Sequence, residues 1–321
     1  MAGRVAGSGI PAARGLWRHA SRCMRSCAAS TSAPESPPPP EPSSPLSPSS
    51  VDASEVAKFA ALADRWWDRS GPYWGLHQLN HARCPFVGQA ACAHFPGRDA
   101  QSLRPLAGLS VLEVGCGGGI LSEALARMGA DVTAVDAAEE SISVARAHAE
   151  SQRRREGGSE CGWGALTYEA TTAEALLDAR FADGASDYDV VIASEVIEHV
   201  RCARDFAATL RRATRPGGLA VVSTLNRTPL SWALAVRFAE SPWVGLAPRG
   251  AHDWRAFVTP EELATLMHPM DLKLASGMAL DLASGRFALT TSPGSNAIVL
   301  DQGLSVNYIA AFTHPNPNAE K

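Results

Sequence analysis

An α/β fold, built as a doubly wound and mainly parallel sheet, is predicted by three observations in this 321-residue chain. The run Val111-Leu-Glu-Val114 breaks into glycines at Gly115, Gly117, Gly118 and Gly119, then resumes at helical spacing from Ile120 to Met128. Apolar runs then alternate with amphipathic ones, and two late apolar runs close the pattern as a hairpin. Strands separated by helices pair in parallel and present ligands at their carboxyl ends.

The elements follow in order. Val111–Val114 is the first strand and the run from Ile120 the first crossover helix. Val132-Thr-Ala-Val135 is the second strand, followed by helical spacing from Ser141 to Gln152. Leu166-Thr-Tyr-Glu169 and Tyr188 to Ala193 are the third and fourth strands. Helix Ala203 to Ala213, the turn Arg215-Pro-Gly-Gly218 and strand Leu219 to Thr224 come next. Leu272 to Met278 and Val306 to Phe312 complete a seven-stranded sheet. Residues 106–321 make this domain, with an aromatic lid insertion at 226–257 and an N-terminal helical cap over 53–105.

The first fifty residues stand apart. Arg4, Arg14, Arg18, Arg22 and Arg25 occur with no acid before Glu35, among Ser and Ala, and without a long apolar core. That composition reads as a mitochondrial transit peptide over 1–33, followed by a disordered Pro/Ser linker over 34–52. Removing residues 1–50 takes five Arg and two Glu from 29 basic and 33 acidic residues and leaves a net charge of −7. A nucleic-acid partner does not suit that balance. The seven cysteines contain no Cys-x-x-Cys pair, which argues against a zinc ribbon or redox motif and fits a reducing compartment. No apolar run reaches the length of a membrane span, so any membrane contact is peripheral.

The glycine turn names a cofactor class by what it lacks. A dinucleotide fingerprint needs glycine at the sixth position from Gly115, where Ile120 stands. A P-loop needs a Gly-Lys-Ser/Thr ending, and the glycines lead into Ile120 and Leu121. What remains is the acidic-Gly-x-Gly-x-Gly turn, Glu113 to Gly119, of methyltransferases that use S-adenosylmethionine, whose cationic end suits a carboxylate. Asp136 ends the second strand about twenty residues later, where it can accept both hydroxyls of a ribose. Asp136 also suits a helix cap before Ala137-Ala-Glu-Glu140, but its place relative to Gly115 favours the ribose. The fold is therefore read as a class I S-adenosylmethionine-dependent methyltransferase.

At the end of the fourth strand, Glu195, Glu198 and His199 in Ser194-Glu-Val-Ile-Glu-His199 are spaced i, i+3 and i+4. On a helix they share one side, beside the cofactor cleft, as a candidate Mg²⁺ site. The same residues also suit the helix dipole and a loop cap.

The chain resembles a known family through several motifs taken together. These are Phe59 with Arg65-Trp-Trp-Asp68, Leu76-His-Gln-Leu-Asn-His-Ala-Arg83, the glycine turn, Ser194-Glu-Val-Ile-Glu-His-Val200, Arg215-Pro-Gly-Gly218, Ser223-Thr-Leu-Asn-Arg227 and Pro248-Arg-Gly-Ala-His-Asp-Trp254. They are similar to those of the ubiquinone-biosynthesis O-methyltransferases of mitochondria and proteobacteria, over about residues 55–312. The resemblance implies methylation of a ring hydroxyl on two polyprenylated catechols, a dihydroxybenzoate and a demethylubiquinol. It also implies a place in a multi-subunit ubiquinone biosynthesis complex. Arg83, Gly115, Asp136 and Ser194 match the family's cofactor contacts, to which Gly117 is added from the turn; Arg83 suits the methionine carboxylate. Glu195, Glu198 and His199 match its Mg²⁺ positions.

In such a reaction the hydroxyl must lose its proton and lie in line with the sulfonium methyl. Candidate bases are Glu198, His199 and His252, the last beside Asp253 in the lid. The lid carries Trp232, Leu234, Phe238, Trp243 and Trp254 with Arg227, Arg237 and Arg249, a composition that suits a lipid surface. Peripheral association with the matrix side of the mitochondrial inner membrane is the corresponding expectation. The chain departs from the family at His77-Gln78 and Asn80-His81, at Leu280-Asp-Leu282 in place of Tyr-Asn-Pro, and in an insertion around Arg153 to Gly164. Two alternatives stay open: a small-molecule methyltransferase with another acceptor, and a non-catalytic subunit that keeps the fold.

Overall fold

In a computed structural model, which describes residues 49–157, 162–180, 188–234, 253–281, 284–290 and 303–316, β1 (Ser110–Val114) lies between β2 (Asp131–Asp136) and β4 (Tyr188–Ser194). β3 (Leu166–Ala170) extends the sheet past β2, and β5 (Thr214–Leu225) extends it past β4; all five are parallel. β6 (Asp271–Asp281), β7 (Arg286–Leu289) and β8 (Asn307–Thr313) add antiparallel strands, giving the order β3-β2-β1-β4-β5-β8-β6-β7. The strand order reverses between β1 and β4. Their carboxyl ends, at Gly115 and Ser194, therefore flank the crevice where an open α/β sheet binds its ligands.

The expected seven strands are present and β7 is an eighth. Its four residues, behind the left-handed turn at Gly285, are too short to carry a readable alternation. At β5, Tyr188 pairs with Thr214 and Val190 with Leu219. The Arg215–Gly218 turn is thus a bulge carried inside the strand, with Gly217 at φ +70°.

Two apolar layers cover the sheet. On one face lie α2 (Trp74–His94), α3 (Ile120–Arg127) and α4 (Glu139–Arg155), with Phe86, Leu125 and Ile142 fully buried. The other face holds α5 (Ala173–Arg180), α6 (Ala203–Ala213) and α7 (Pro260–Met267) around Leu177, Leu210 and Leu263. α6 shows why such segments fold as helices here: Phe206, Ala207, Leu210 and Ala213 recur at helical spacing and are buried, while Arg204, Arg211 and Arg212 stay outside the core. α7 starts with a capping box, Thr259 with Glu262, and has Pro260 at its first position.

α1 (Ala53–Ala60) opens on Asp52, whose carboxylate accepts from the Ser54 and Glu55 amides. The linker read through residue 52 ends earlier. Ser50 donates through Oγ to Glu174 (2.6 Å), and its carbonyl accepts from the Arg201 amide (2.8 Å), so Ser49–Asp52 belong to the folded unit. Residues 1–48 and most of the lid, including His252, lie outside the described residues. The lid's described ends are pinned together: the Trp254 indole donates to the Thr228 carbonyl at 2.9 Å.

Candidate active site

The glycine turn sits at the end of β1. Gly115, Gly117 and Gly119 all have positive φ (+73°, +52° and +82°), which a side chain tolerates poorly. A second constraint, invisible in sequence, comes from packing. A Cβ at Gly115 would lie 2.6 Å from Val196 Cγ2; at Gly117 or Gly118 it would run into Trp66, and at Gly119 into Tyr168. The Arg65-Trp66-Trp67-Asp68 segment is the cover of this turn. The Trp66 indole donates to Ser141 Oγ (3.0 Å) and stacks on Tyr73 at 3.8 Å; the Trp67 indole donates to the Gly118 carbonyl (2.9 Å). Both ligand approach and indole packing therefore require small residues here.

Asp136 ties the glycine turn to the start of α4. Its carboxylate accepts from the Gly117 amide and from the Ala138 amide at the start of α4, each at 2.8 Å, and the residue lines the same cavity as Gly115. Burial raises its proton affinity, and the two amide donors oppose that.

Arg83, on α2, is 3% exposed. Its guanidinium donates to Asn80 Oδ1 (2.5 and 3.1 Å), to the Leu76 carbonyl (2.8 Å) and to Ser194 Oγ (2.9 Å), all neutral acceptors. Burial pulls its pKa down, against the through-space pull of Glu195 and Glu113.

From Ser194 a polar chain crosses the sheet. Ser194 Oγ meets Ser223 Oγ (2.8 Å), Ser223 Oγ donates to Glu195 Oε1 (2.8 Å), and Asn307 Nδ2 donates to Glu195 Oε2 (3.1 Å). Thr224 Oγ1 donates to Glu198 Oε2 (2.9 Å). Ser223, Thr224, Asn80 and Asn307 were not among the predicted site residues. The signal for the first two was two hydroxyls ending the otherwise apolar run of β5.

The predicted metal set is rearranged. Ser194–His199 does not form one helical face: Glu195 is a non-glycine residue at φ +57°, and only Ile197–His199 make a 3₁₀ turn. The i, i+3, i+4 argument therefore does not apply. Glu195 remains close enough to raise the proton affinity of Glu198, whereas His199 Nδ1 lies 3.0 Å from Glu55 Oε2 with the Phe59 ring edge-on at 5.2 Å. Among the described residues no three His, Cys, Asp or Glu side chains gather as a cation site. Glu198 is buried, and burial first, then the Glu195 charge, drives its carboxyl pKa up.

Glu113 is 3% exposed and accepts from Ser122 Oγ at 2.5 Å, and burial pushes it up to about 7 from 4.5. The folded state thus keeps a proton that the unfolded chain releases above pH 4.5, so this group makes stability fall as pH rises from about 4.5 to about 7. Glu113→Gln is expected to melt several degrees above the parent at pH 8 without cofactor, on the order of 2 kcal/mol, and level with it at pH 4.5. The same variant is expected to bind S-adenosylmethionine more weakly. Parallel melts at the two pH values and calorimetric titration check this; identical melting at pH 8 would refute it.

Arg83, Glu113, Gly115, Gly117, Asp136, Ser194, Glu195, Glu198 and His199 all line one cavity of about 760 Å³. Its remaining wall is mostly apolar and includes Phe59, Leu62 and Leu79 from the N-terminal region and Met278, Leu280 and Phe287 from β6 and β7.

Residues 62–276 match the methyltransferase domain family. The chain is 42% identical over 251 residues to the ubiquinone biosynthesis O-methyltransferase of Methylobacterium sp. (strain 4-46), covering 78% of this chain and 94% of that protein. With the enzyme of the same name from Ruegeria pomeroyi it shares 40% identity over 270 residues, 83% of this chain and 97% of that one. With the mitochondrial ubiquinone biosynthesis O-methyltransferase of Arabidopsis thaliana it shares 38% over 267 residues, 82% and 74% respectively. A methyltransferase domain over most of its length and relatives at 40–42% identity over 78–83% of it place the chain in the ubiquinone biosynthesis O-methyltransferases, which are S-adenosylmethionine-dependent enzymes.

Proposed function

We propose that this enzyme methylates a ring hydroxyl of polyprenylated catechols, a polyprenyl dihydroxybenzoate and a demethylubiquinol, in ubiquinone biosynthesis. The observation that carries this reading is the single cavity, which joins Arg83, Gly115 and Asp136 to the Glu195–Glu198 pair and to an apolar wall. In this reading Arg83 takes the cofactor carboxylate, Glu113 faces its ammonium and Asp136 accepts its ribose hydroxyls. The acceptor ring lies toward Glu198, which takes the hydroxyl proton while the walls hold the oxygen in line with the methyl group. His199 holds its Nδ1 on Glu55 and is the second candidate base; His252 is a third.

The Glu195–Glu198 pair suits Mg²⁺ by its chemistry: hard oxygen donors whose mutual repulsion a divalent cation relieves. When bound there, Mg²⁺ would lower the pKa of a catechol hydroxyl. His199 would join these ligands through Nε2 while Nδ1 stays on Glu55, whose carboxylate would orient the ring.

Residues 1–33 serve in this reading as a mitochondrial transit peptide, with the Pro/Ser linker ending before Ser49. The enzyme then works peripherally on the matrix side of the inner membrane, within a biosynthetic complex. In support, one relative carries "mitochondrial" in its name, and no helix among the described residues is long and apolar enough to cross a membrane. Leu230 and Trp232, at the start of the lid, are 38% and 47% exposed.

The full chain with S-adenosylmethionine is expected to methylate a prenylated catechol, to slow at least tenfold in EDTA and to recover with Mg²⁺. Methyl transfer to a different small acceptor alone would favour the first alternative, and cofactor binding without any transfer the second. Failure to float with anionic liposomes in the same preparation would remove the membrane reading, and an EDTA-indifferent rate would remove the metal.

A further inference from the structure

We propose that the β6–β7 hairpin is the hydrocarbon subsite of this enzyme, with Leu280 and Phe287 holding the first units of the acceptor's isoprenoid chain. This rests on the function proposed above and specifies where the acceptor's tail is read.

The geometry begins with strand register. β6 and β7 pair Met278 with Leu289 and Leu280 with Phe287. The two-residue period of a strand puts all four side chains on one face, and the intervening and flanking pairs, Ala279–Ala288 and Asp281–Arg286, on the other. Along that face burial changes. Met278 and Leu289 are 1% and 6% exposed and belong to the core packed under α2, whereas Leu280 and Phe287 are only half-buried. Met278, Leu280 and Phe287 all line the active-site cavity. The apolar face thus runs from the core out along the cavity wall.

The inner end of this face lies next to the reacting groups. Met278 is in register with Asn307 on β8, and Asn307 Nδ2 donates to Glu195 Oε2 at 3.1 Å. One strand spacing, about 4.8 Å, therefore separates Asn307, which holds the Glu195 carboxylate, from the start of the apolar face. Leu234 lines the same cavity, and Leu230, four residues earlier, is exposed together with Trp232. The cavity wall thus includes one apolar residue of the lid's base besides the hairpin face. A wall of Met, Leu and Phe offers hydrocarbon contact and no hydrogen bond, so the acceptor feature it recognises is an uncharged aliphatic chain.

The test compares catechol with decylcatechol on the full chain, using Leu280→Ser and Phe287→Ser, with Leu280→Met as the conservative variant. The quantity read is the benefit of the tail, the ratio of kcat/KM for decylcatechol to that for catechol, alongside equilibrium binding of both compounds. Each Ser variant is expected to lower the ratio at least tenfold, and Leu280→Met to keep it within about threefold. An unchanged S-adenosylmethionine Kd identifies folded variants; if a Ser variant fails that criterion, Leu280→Thr and Phe287→Thr replace it. A ratio unmoved in folded variants, or a parent that gains nothing from the tail in binding, overturns the subsite. If decylcatechol binds the parent more tightly than catechol, loses that advantage in the variants and is never methylated, the subsite stands and the function proposed above fails.

Discussion

Arg83→Met is expected to weaken S-adenosylmethionine binding by at least ~100-fold, the scale of a lost charge-assisted contact in a dry site. The parent guanidinium is 3% exposed and held by Asn80, Leu76 and Ser194, so its position is set before any ligand arrives. Its charge is desolvated without a bonded carboxylate in that set, and the methionine carboxylate supplies one. In the cofactor-free protein two effects oppose each other. Removing the buried charge ends its desolvation cost, while Asn80 Oδ1 and the Leu76 carbonyl lose their donor at about 1–3 kcal/mol per stranded group. The discriminating readout is therefore the rise in Tm on adding cofactor, expected to be large in the parent and nearly absent in the variant. Arg83→Lys is not expected to rescue, because an ammonium does not reproduce the planar fork that spans Ser194 and Leu76. Calorimetry and melting curves with S-adenosylhomocysteine check both variants; an unchanged Kd in Arg83→Met would remove Arg83 from the cofactor site.

Glu198→Gln is expected to lower kcat by about 10²–10⁴-fold, the usual range for losing a positioned general base, with the S-adenosylmethionine Kd within about threefold of the parent. The amide keeps the bond from Thr224 Oγ1 and nearly the same volume, so the comparison removes the proton acceptor and leaves the packing. Burial and the Glu195 charge both favour the protonated carboxyl, which makes Glu198 a stronger base than an exposed glutamate once ionised. Single-turnover methyl transfer, which isolates the chemical step, is the measurement; a kcat within tenfold of the parent would move the role of base to His199 or His252.

The architecture was legible because its code is local. The Val111–Val114 run, the helical spacing from Ile120 and the residues 203–213 each state their own period, and β1, α3 and α6 appear within a residue or two of those bounds. β7 was not legible, since four residues behind a glycine turn hold too little pattern. The helix expected at Ser194–His199 failed for a different reason. The Glu195 amide donates to the Ser223 carbonyl at 2.9 Å, and both its carboxylate oxygens are taken by β5 and β8, so tertiary bonds hold it at φ +57° against its local preference.

Sequence alone determined the sheet class, the cofactor class through Ile120 and the missing P-loop lysine, the place of Asp136 at the end of β2 and the family. Each rests on residues that are neighbours along the chain, where spacing translates directly into geometry. Tertiary structure decided what those residues face. His199 turns to Glu55, 144 positions away, Glu195 to Asn307, 112 away, and Arg83 to Ser194, 111 away. Such pairings exist only once α1, α2 and β8 have packed on the sheet, because burial leaves each polar group to find whichever partner the fold brings near.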